Sequence, residues 1–149
     1  MAFELAEIAM GRGVLGLCAL PQAGDVAALQ AWRTDLVLTL VEQAEAVALS
    51  PDLEGALVAA GIAQRWFEIA DYGVPVGDWA GLSGDLHAVL KVGGRVVIHC
   101  RGGCGRTGMI ALRFMEEAGE ADALARLRAV RPCAVETEAQ MDWALQARD

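Results

Sequence analysis

The chain has 149 residues, with 12 Lys+Arg against 20 Asp+Glu and a formal net charge of -8. At 55 % hydrophobic and 21 % charged residues it is long and apolar enough to bury a core, which excludes a disordered tail. The acidic balance excludes the electrostatic footprint of sequence-independent nucleic-acid binding and of a polybasic lipid-binding surface, so an anionic substrate must be held by a local device.

Short β-like runs alternate with helical stretches along the whole sequence. Val14–Leu20 reads as a strand closed by Pro21, and Asp25–Arg33 as a short helix. Asp35–Val41 is the apolar run of a buried strand. Ser50-Pro51-Asp52 reads as a helix start, with Ser50 at the N-cap and Pro51 in the first turn, and the helix is expected to run to Gly61. Gln64–Ala70 follows as a strand and Asp78–Val92 as a helix; Gly93-Gly94 then turns the chain into the strand Arg95–His99. A glycine-rich loop, Cys100–Gly105, leads to a helix from Arg106 to about Ala118, and helices near Ala121–Val130 and Thr137–Ala147 complete the order. Strands spaced by helices predict an α/β layered fold with a central, mostly parallel sheet flanked by helices. No repeat or linker divides the sequence, so residues 1–149 are expected to form a single catalytic domain.

No apolar run reaches the roughly 18–20 residues that cross a bilayer. The first nine residues carry Glu4 and Glu7 and no basic segment, which argues against a secretory signal. Cys18, Cys100, Cys104 and Cys133 show no metal-ligand spacing and do not suggest a disulfide scaffold, so a reducing cytoplasm is the expected location.

The chemistry concentrates where the strand Arg95–His99 ends. Gly102, Gly103 and Gly105 allow consecutive backbone N–H groups to converge on one point, and the following helix adds its N-terminal donors and partial positive charge. Such a bowl fits a tetrahedral dianion. Cys100 stands at its floor, and thiols beside helix N-termini ionise more readily than ordinary ones, as a nucleophile toward phosphorus requires. Arg106, six residues on, supplies a planar fork for two phosphoryl oxygens. Thr107 can turn its hydroxyl back to the Cys100 sulfur. Arg101, inside the same loop, would widen the site to multiply phosphorylated ligands.

His99-Cys100-Arg101-Gly102-Gly103-Cys104-Gly105-Arg106-Thr107-Gly108 resembles the H-C-x-x-G-x-x-R-[S/T]-G signature of the protein tyrosine phosphatase superfamily. The resemblance implies Cys100 as nucleophile, Arg106 as phosphate clamp, Thr107 as thiolate stabiliser and His99 as structural support of the loop. The residues from Arg101 to Arg106 would bind phosphate. Phe67-Glu68-Ile69-Ala70-Asp71-Tyr72-Gly73-Val74-Pro75 is similar to the I-A-D-x-G-x-P loop of the kinase-associated, dual-specificity-like subgroup and its bacterial relatives. It implies Asp71 as general acid, with Glu68 and Asp78 as poorer-fitting rivals. Arg131-Pro132-Cys133-Ala134-Val135-Glu136-Thr137-Glu138-Ala139-Gln140 resembles R-P-G-A-[I/V]-E-T-x-x-Q of the same subgroup, implying that Gln140 helps position the hydrolytic water. Cys133 stands where that pattern has glycine.

Blander readings stand beside these. Asp71 is also readable as a turn aspartate and Gln140 as a helix-surface residue. Cys104 reads as a small packing residue before it reads as a redox partner of Cys100. Cys18, Trp66, Trp79 and Trp143 read as core residues, His87 as a surface or partly buried histidine, and the Glu116-Glu117 and Glu136/Glu138 clusters as solvated helix faces.

The sequence therefore predicts a cysteine-dependent phosphatase without cofactor or metal, acting through a phosphocysteine. Phosphotyrosine, with phosphoserine/threonine second, in a protein partner is the expected substrate, and a small phosphomonoester stays open. Neither nucleic acid nor membrane is an expected partner, and the sequence does not fix an oligomeric state. The alternatives are a phosphate-binding module with little turnover, or another Cys–Arg loop enzyme, a sulfurtransferase or an arsenate reductase.

Overall fold

A computed structural model describes residues 3–148. Its five strands are β1 (Ala6–Met10), β2 (Gly13–Cys18), β3 (Leu36–Thr39), β4 (Ala63–Trp66) and β5 (Arg95–His99). The helices are α1 (Val26–Ala31), α2 (Gln43–Leu49), α3 (Leu53–Ala59), α4 (Trp79–Lys91), α5 (Gly105–Glu117), α6 (Ala123–Val130) and α7 (Glu138–Leu145). The strands form one sheet in the order β1-β2-β5-β3-β4, with β1 antiparallel to β2 and every other neighbour parallel. This is the α/β architecture that the alternation of elements predicts.

Successive residues on a strand face opposite sides of the sheet, and the two cores follow that rule. Leu15, Leu17, Leu36, Leu38, Val96 and Ile98 belong to the larger core, which also holds residues of α4, α5, α6 and α7. Cys18, Val37 and Val97 belong to the smaller one, with Val26 and Leu29 of α1 and Leu53 and Leu57 of α3. Both faces of the parallel strands are thus covered, which is why these strands read as continuous apolar runs rather than alternating ones.

Two elements differ from the expectations. α2 occupies the stretch after β3, and Ser50 ends it instead of starting a helix. The Ser50 hydroxyl donates to the Pro21 carbonyl (2.6 Å), and the next helix starts from Asp52. Pro51 lacks the N–H that would continue α2, so it separates two short helices. β1 was not anticipated, although Ile8 and Met10 point inward on alternate positions. The strand expected over 64–70 leaves regular pairing after Trp66, yet Phe67 and Ile69 still donate to the Thr39 and Leu40 carbonyls (3.0 and 2.9 Å).

The register aligns the carboxyl ends of four strands. Cys18 lies opposite His99, His99 opposite Thr39, and Thr39 opposite Trp66. Ligands of parallel sheets bind at this end, and the glycine-rich loop begins one residue beyond the row.

Candidate active site

The loop after β5 is fixed by its carbonyls. The Arg101 carbonyl accepts from Leu20 N (3.0 Å), Gly102 from Arg131 Nη2 (2.8 Å), Gly103 from Arg131 Nε (2.9 Å) and Cys104 from Val135 N (3.3 Å) and Gly108 N (2.8 Å). In a planar trans peptide the N–H of the next residue points opposite to its carbonyl. The amides of Gly102, Gly103, Cys104 and Gly105 are therefore turned away from these partners, and none of them donates to another group among the described residues. This leaves four successive amides without protein partners, the arrangement that an anion-binding nest requires. Gly103 has φ +74°, and a Cβ there would lie 2.6 Å from Arg131 Nη2 and from the Cys18 carbonyl oxygen, so only glycine fits.

Cys100 is free and 3 % exposed. His99 before it is fully buried: Nδ1 donates to the Cys100 carbonyl (3.2 Å), and Nε2 accepts from Thr39 Oγ1 (2.8 Å), which itself accepts from Gln64 Nε2 (2.8 Å). Burial pushes the imidazole down to about 4, so it is neutral. The loop takes off from a histidine held on both ring nitrogens.

Arg106 lies in the first turn of α5 and is 2 % exposed. Nη1 donates to Glu45 Oε1 (2.7 Å) and to the Ile69 carbonyl (2.9 Å), and Nη2 donates to Glu45 Oε2 (3.0 Å). Burial works against the guanidinium charge, but Glu45, Cys100 and Asp71 outweigh it and hold the pKa above its ordinary value. The same hydrogen bonds from Arg106 keep Glu45 below the ordinary carboxylate range. Arg101, more than half exposed, also reaches Glu45 (3.3 Å). Glu45 was missed because α2 was missed. An acidic residue at the third position of a helix, where it caps the Glu42 amide (3.4 Å), was the available signal.

Asp71 arrives from the loop after β4. Its Oδ1 lies 3.3 Å from Arg106 Nη2 and accepts from Tyr72 N (3.1 Å). The rivals go elsewhere: Asp78 caps α4 by accepting from Gly81 N (3.3 Å), and Glu68 is exposed. Gln140 is buried in the first turn of α7, not on the helix surface. Its Oε1 accepts from the Glu136 and Thr137 amides (2.9 and 3.3 Å), and its Nε2 donates to the Gly73 carbonyl (3.2 Å).

Three expectations are corrected. Thr107 is buried, but its hydroxyl forms no hydrogen bond to the Cys100 sulfur; among the described residues Oγ1 has no partner at all. A buried hydroxyl without a partner is costly. Cys104 is neither a packing residue nor bonded to Cys100: it forms a disulfide with Cys133 (Cα–Cα 5.1 Å). Glu117 is not a solvated side chain. It accepts from Trp79 Nε1 (2.8 Å), Ser83 Oγ (2.6 Å) and Arg113 Nε (3.2 Å), with His87 Nε2 at 3.2 Å; burial opposes its charge, and these donors outweigh burial to lower its pKa. A cavity of about 840 Å³ opens beside this cluster, lined by Trp79, His87 and Arg113 and by no residue of the Cys100 loop. Cys18 is a core residue, as expected, its thiol pushed up to about 12 by burial. No described helix is long and apolar enough to cross a membrane.

No protein-family model and no curated protein sequence matches the chain. Solved structures do. The chain is similar to Tk-PTP in its active form (25 % identity, 95 % of each chain covered, TM-score 0.80). It is similar to kinase associated phosphatase with its catalytic-site cysteine replaced by serine (23 %, 100 % and 96 % covered, TM-score 0.89). It also matches PTPMT1 in complex with PI(5)P (17 %, 95 % and 94 % covered, TM-score 0.73). The chain shares the fold of these protein tyrosine phosphatase-type structures.

Proposed function

We propose that the chain, read as one catalytic domain, is a cysteine-dependent phosphatase that hydrolyses phosphomonoesters through a phosphocysteine. The observation that carries this reading is the approach of Asp71 Oδ1 to 3.3 Å from Arg106 Nη2, which joins the acid loop to the nucleophile loop. In the first step the Cys100 sulfur attacks phosphorus and the ester P–O bond breaks, while Asp71 gives its proton to the departing oxygen. The amides of residues 102–105 and Arg106 meet the charge on the three equatorial oxygens. Arg106 Nε and Nη2 form the edge that takes two of those oxygens, and phosphate binding displaces Asp71 from Nη2 toward the leaving group. In the second step water attacks phosphorus, the S–P bond breaks, and Asp71 takes the proton. Thr107 Oγ1, unpartnered at rest, donates to the sulfur as it leaves. Gln140 acts on the acid loop through Gly73, and that bond supports a positioning role over direct contact with water.

Phosphotyrosine in a protein is the favoured substrate, with phosphoserine/threonine second. Cys100 and Arg106 are almost fully buried, which suits an ester whose phosphorus stands well away from the backbone. Tyr72, 62 % exposed beside Asp71, offers a ring for a phenol to pack on. A phosphoinositide, as in the PTPMT1 complex, is disfavoured because the net charge is -8 and Arg101 is engaged by Glu45. In a reducing, cytoplasmic setting the Cys104–Cys133 disulfide would stand only as a reversible bond.

The test is hydrolysis of p-nitrophenyl phosphate in EDTA by the wild-type chain and Cys100→Ser. Activity in EDTA that disappears with the serine variant supports the reading. Phosphopeptide binding without turnover would replace it with a binding module, and turnover of thiosulfate or arsenate alone would replace it with another thiol chemistry.

A further inference from the structure

Cys133 sits in the loop between α6 and α7, in a segment that grips the nest at several points. Arg131 takes the Gly102 and Gly103 carbonyls, Val135 N takes the Cys104 carbonyl, and the disulfide ties Cys133 to Cys104 itself. The peptide planes that carry the Gly103, Cys104 and Gly105 amides are thus held, on their carbonyl sides, by residues 131–135, while the plane that carries the Gly102 amide is held by Leu20 N.

That segment does not hold its shape unaided. Val135 has φ +68°, a conformation that a β-branched residue keeps only when its surroundings impose it. Arg128 restrains it through the Ala134 and Val135 carbonyls (3.0 and 3.3 Å). Gly108 lets it approach so closely that a Cβ there would lie 2.7 Å from Ala134 Cα. The disulfide is the covalent restraint on this contact, and it joins the residue immediately before Gly105-Arg106.

We infer that Cys133, through its disulfide with Cys104, is a positioning residue for the anion-binding loop, so that full phosphate affinity requires Cys104–Cys133 oxidised while Cys100 is reduced. The inference rests on the phosphatase reading for its substrate, but its readout is phosphate binding. The four cysteines are arranged for this separation. Cys133 is exposed and Cys104 partly so, whereas Cys100 and Cys18 are buried. A dithiol reductant therefore meets Cys133 first. Its thiolate attacks the Cys133 sulfur, the S–S bond breaks and Cys104 leaves as a thiolate. The reductant's second thiol then displaces Cys133 and closes the reductant's own disulfide, so two electrons and two protons pass from the dithiol to the two cysteines.

The test compares two wild-type preparations from a graded dithiol buffer, distinguished by mass after alkylation under denaturing conditions. Two labelled cysteines mark the clasped form and four the open form. Opening the bond is expected to weaken inorganic phosphate binding by about tenfold and to raise KM for p-nitrophenyl phosphate in parallel. The expected change in kcat is under about threefold. A role in global stability alone would not produce that split in a folded protein. Cys133→Ser should match the open form and lose its response to dithiol. Equal phosphate affinity in the two wild-type forms, or a Cys133→Ser protein that binds like the clasped form, would overturn the inference. Redox-dependent phosphate binding without turnover would leave it standing and sink the phosphatase reading instead.

Discussion

Gln140 Nε2 donates to the Gly73 carbonyl across 67 residues of sequence, from the first turn of α7 to the loop that carries Asp71. The same side chain accepts from the Glu136 and Thr137 amides, so one buried amide group joins the α7 start to the acid loop. Replacing Gln140 with Ala removes all three bonds and leaves partly buried groups of Glu136, Thr137 and Gly73 without that partner, at a cost of about 1–2 kcal/mol in urea unfolding. Because Asp71 is then less well held, kcat should fall more for alkyl than for nitrophenyl phosphate. An equal loss on both substrates would assign Gln140 to the water step instead.

Glu45 is the counter-ion of a guanidinium that is 2 % exposed. Removing Glu45 leaves the buried charge with only the more exposed Asp71 beside it, which costs on the order of 3 kcal/mol. Glu45→Ala should lose about that much stability and raise KM by about tenfold, because the fork no longer has a fixed plane. Glu45→Gln, which keeps an acceptor, should lose less. Steady-state kinetics and chemical denaturation of the two variants check both statements.

Asp71→Asn separates proton donation from binding. Nitrophenol leaves without much help, so its hydrolysis should fall by about tenfold, whereas an alkyl phosphate should lose roughly 10²–10³ in kcat. Asp71 also shares Arg106 Nη2 in the unliganded protein. Inorganic phosphate should therefore bind Asp71→Asn at least as tightly as wild type, measured by competitive inhibition.

His99 makes stability depend on acid in a defined window. Its folded pKa of about 4 lies below the ordinary 6.5, so between these values the unfolded chain binds the extra proton first. Stability is complete above about pH 6.5 and declines as pH falls, by about 3 kcal/mol at pH 4. Glu45 and Glu117, with lowered carboxylate pKa values, add their losses below the ordinary 4.5. Urea midpoints between pH 7 and 5 isolate the histidine, and a flat profile there would show that its imidazole is not buried neutral.

Much of this was legible in the residues. The strand Arg95–His99 matches β5, and the helix after the loop matches α5 to within a residue, because a buried strand, three glycines and an amphipathic helix each carry a strong local pattern. The loop pattern drew attention to Asp71, and the fold brings its Oδ1 to 3.3 Å from Arg106 Nη2. What was not legible depends on distant pairing. Glu45, Gln140 and Thr107 acquire their surroundings only when α2, the acid loop and α5 meet. The Cys104–Cys133 bond joins positions 29 apart, and spacing does not encode such a bond.

Cys100 and Asp71, the proposed nucleophile and acid, hang from different parts of the sheet. β5 is its middle strand, hydrogen-bonded on both sides, while β4 is an edge strand of four residues from which the Asp71 loop departs. The Cys100 sulfur is anchored to the most enclosed strand of the sheet, and the proposed acid to its border. Substrate preference in such a scaffold can drift by remodelling one border while the bond-making centre stays where the sheet puts it.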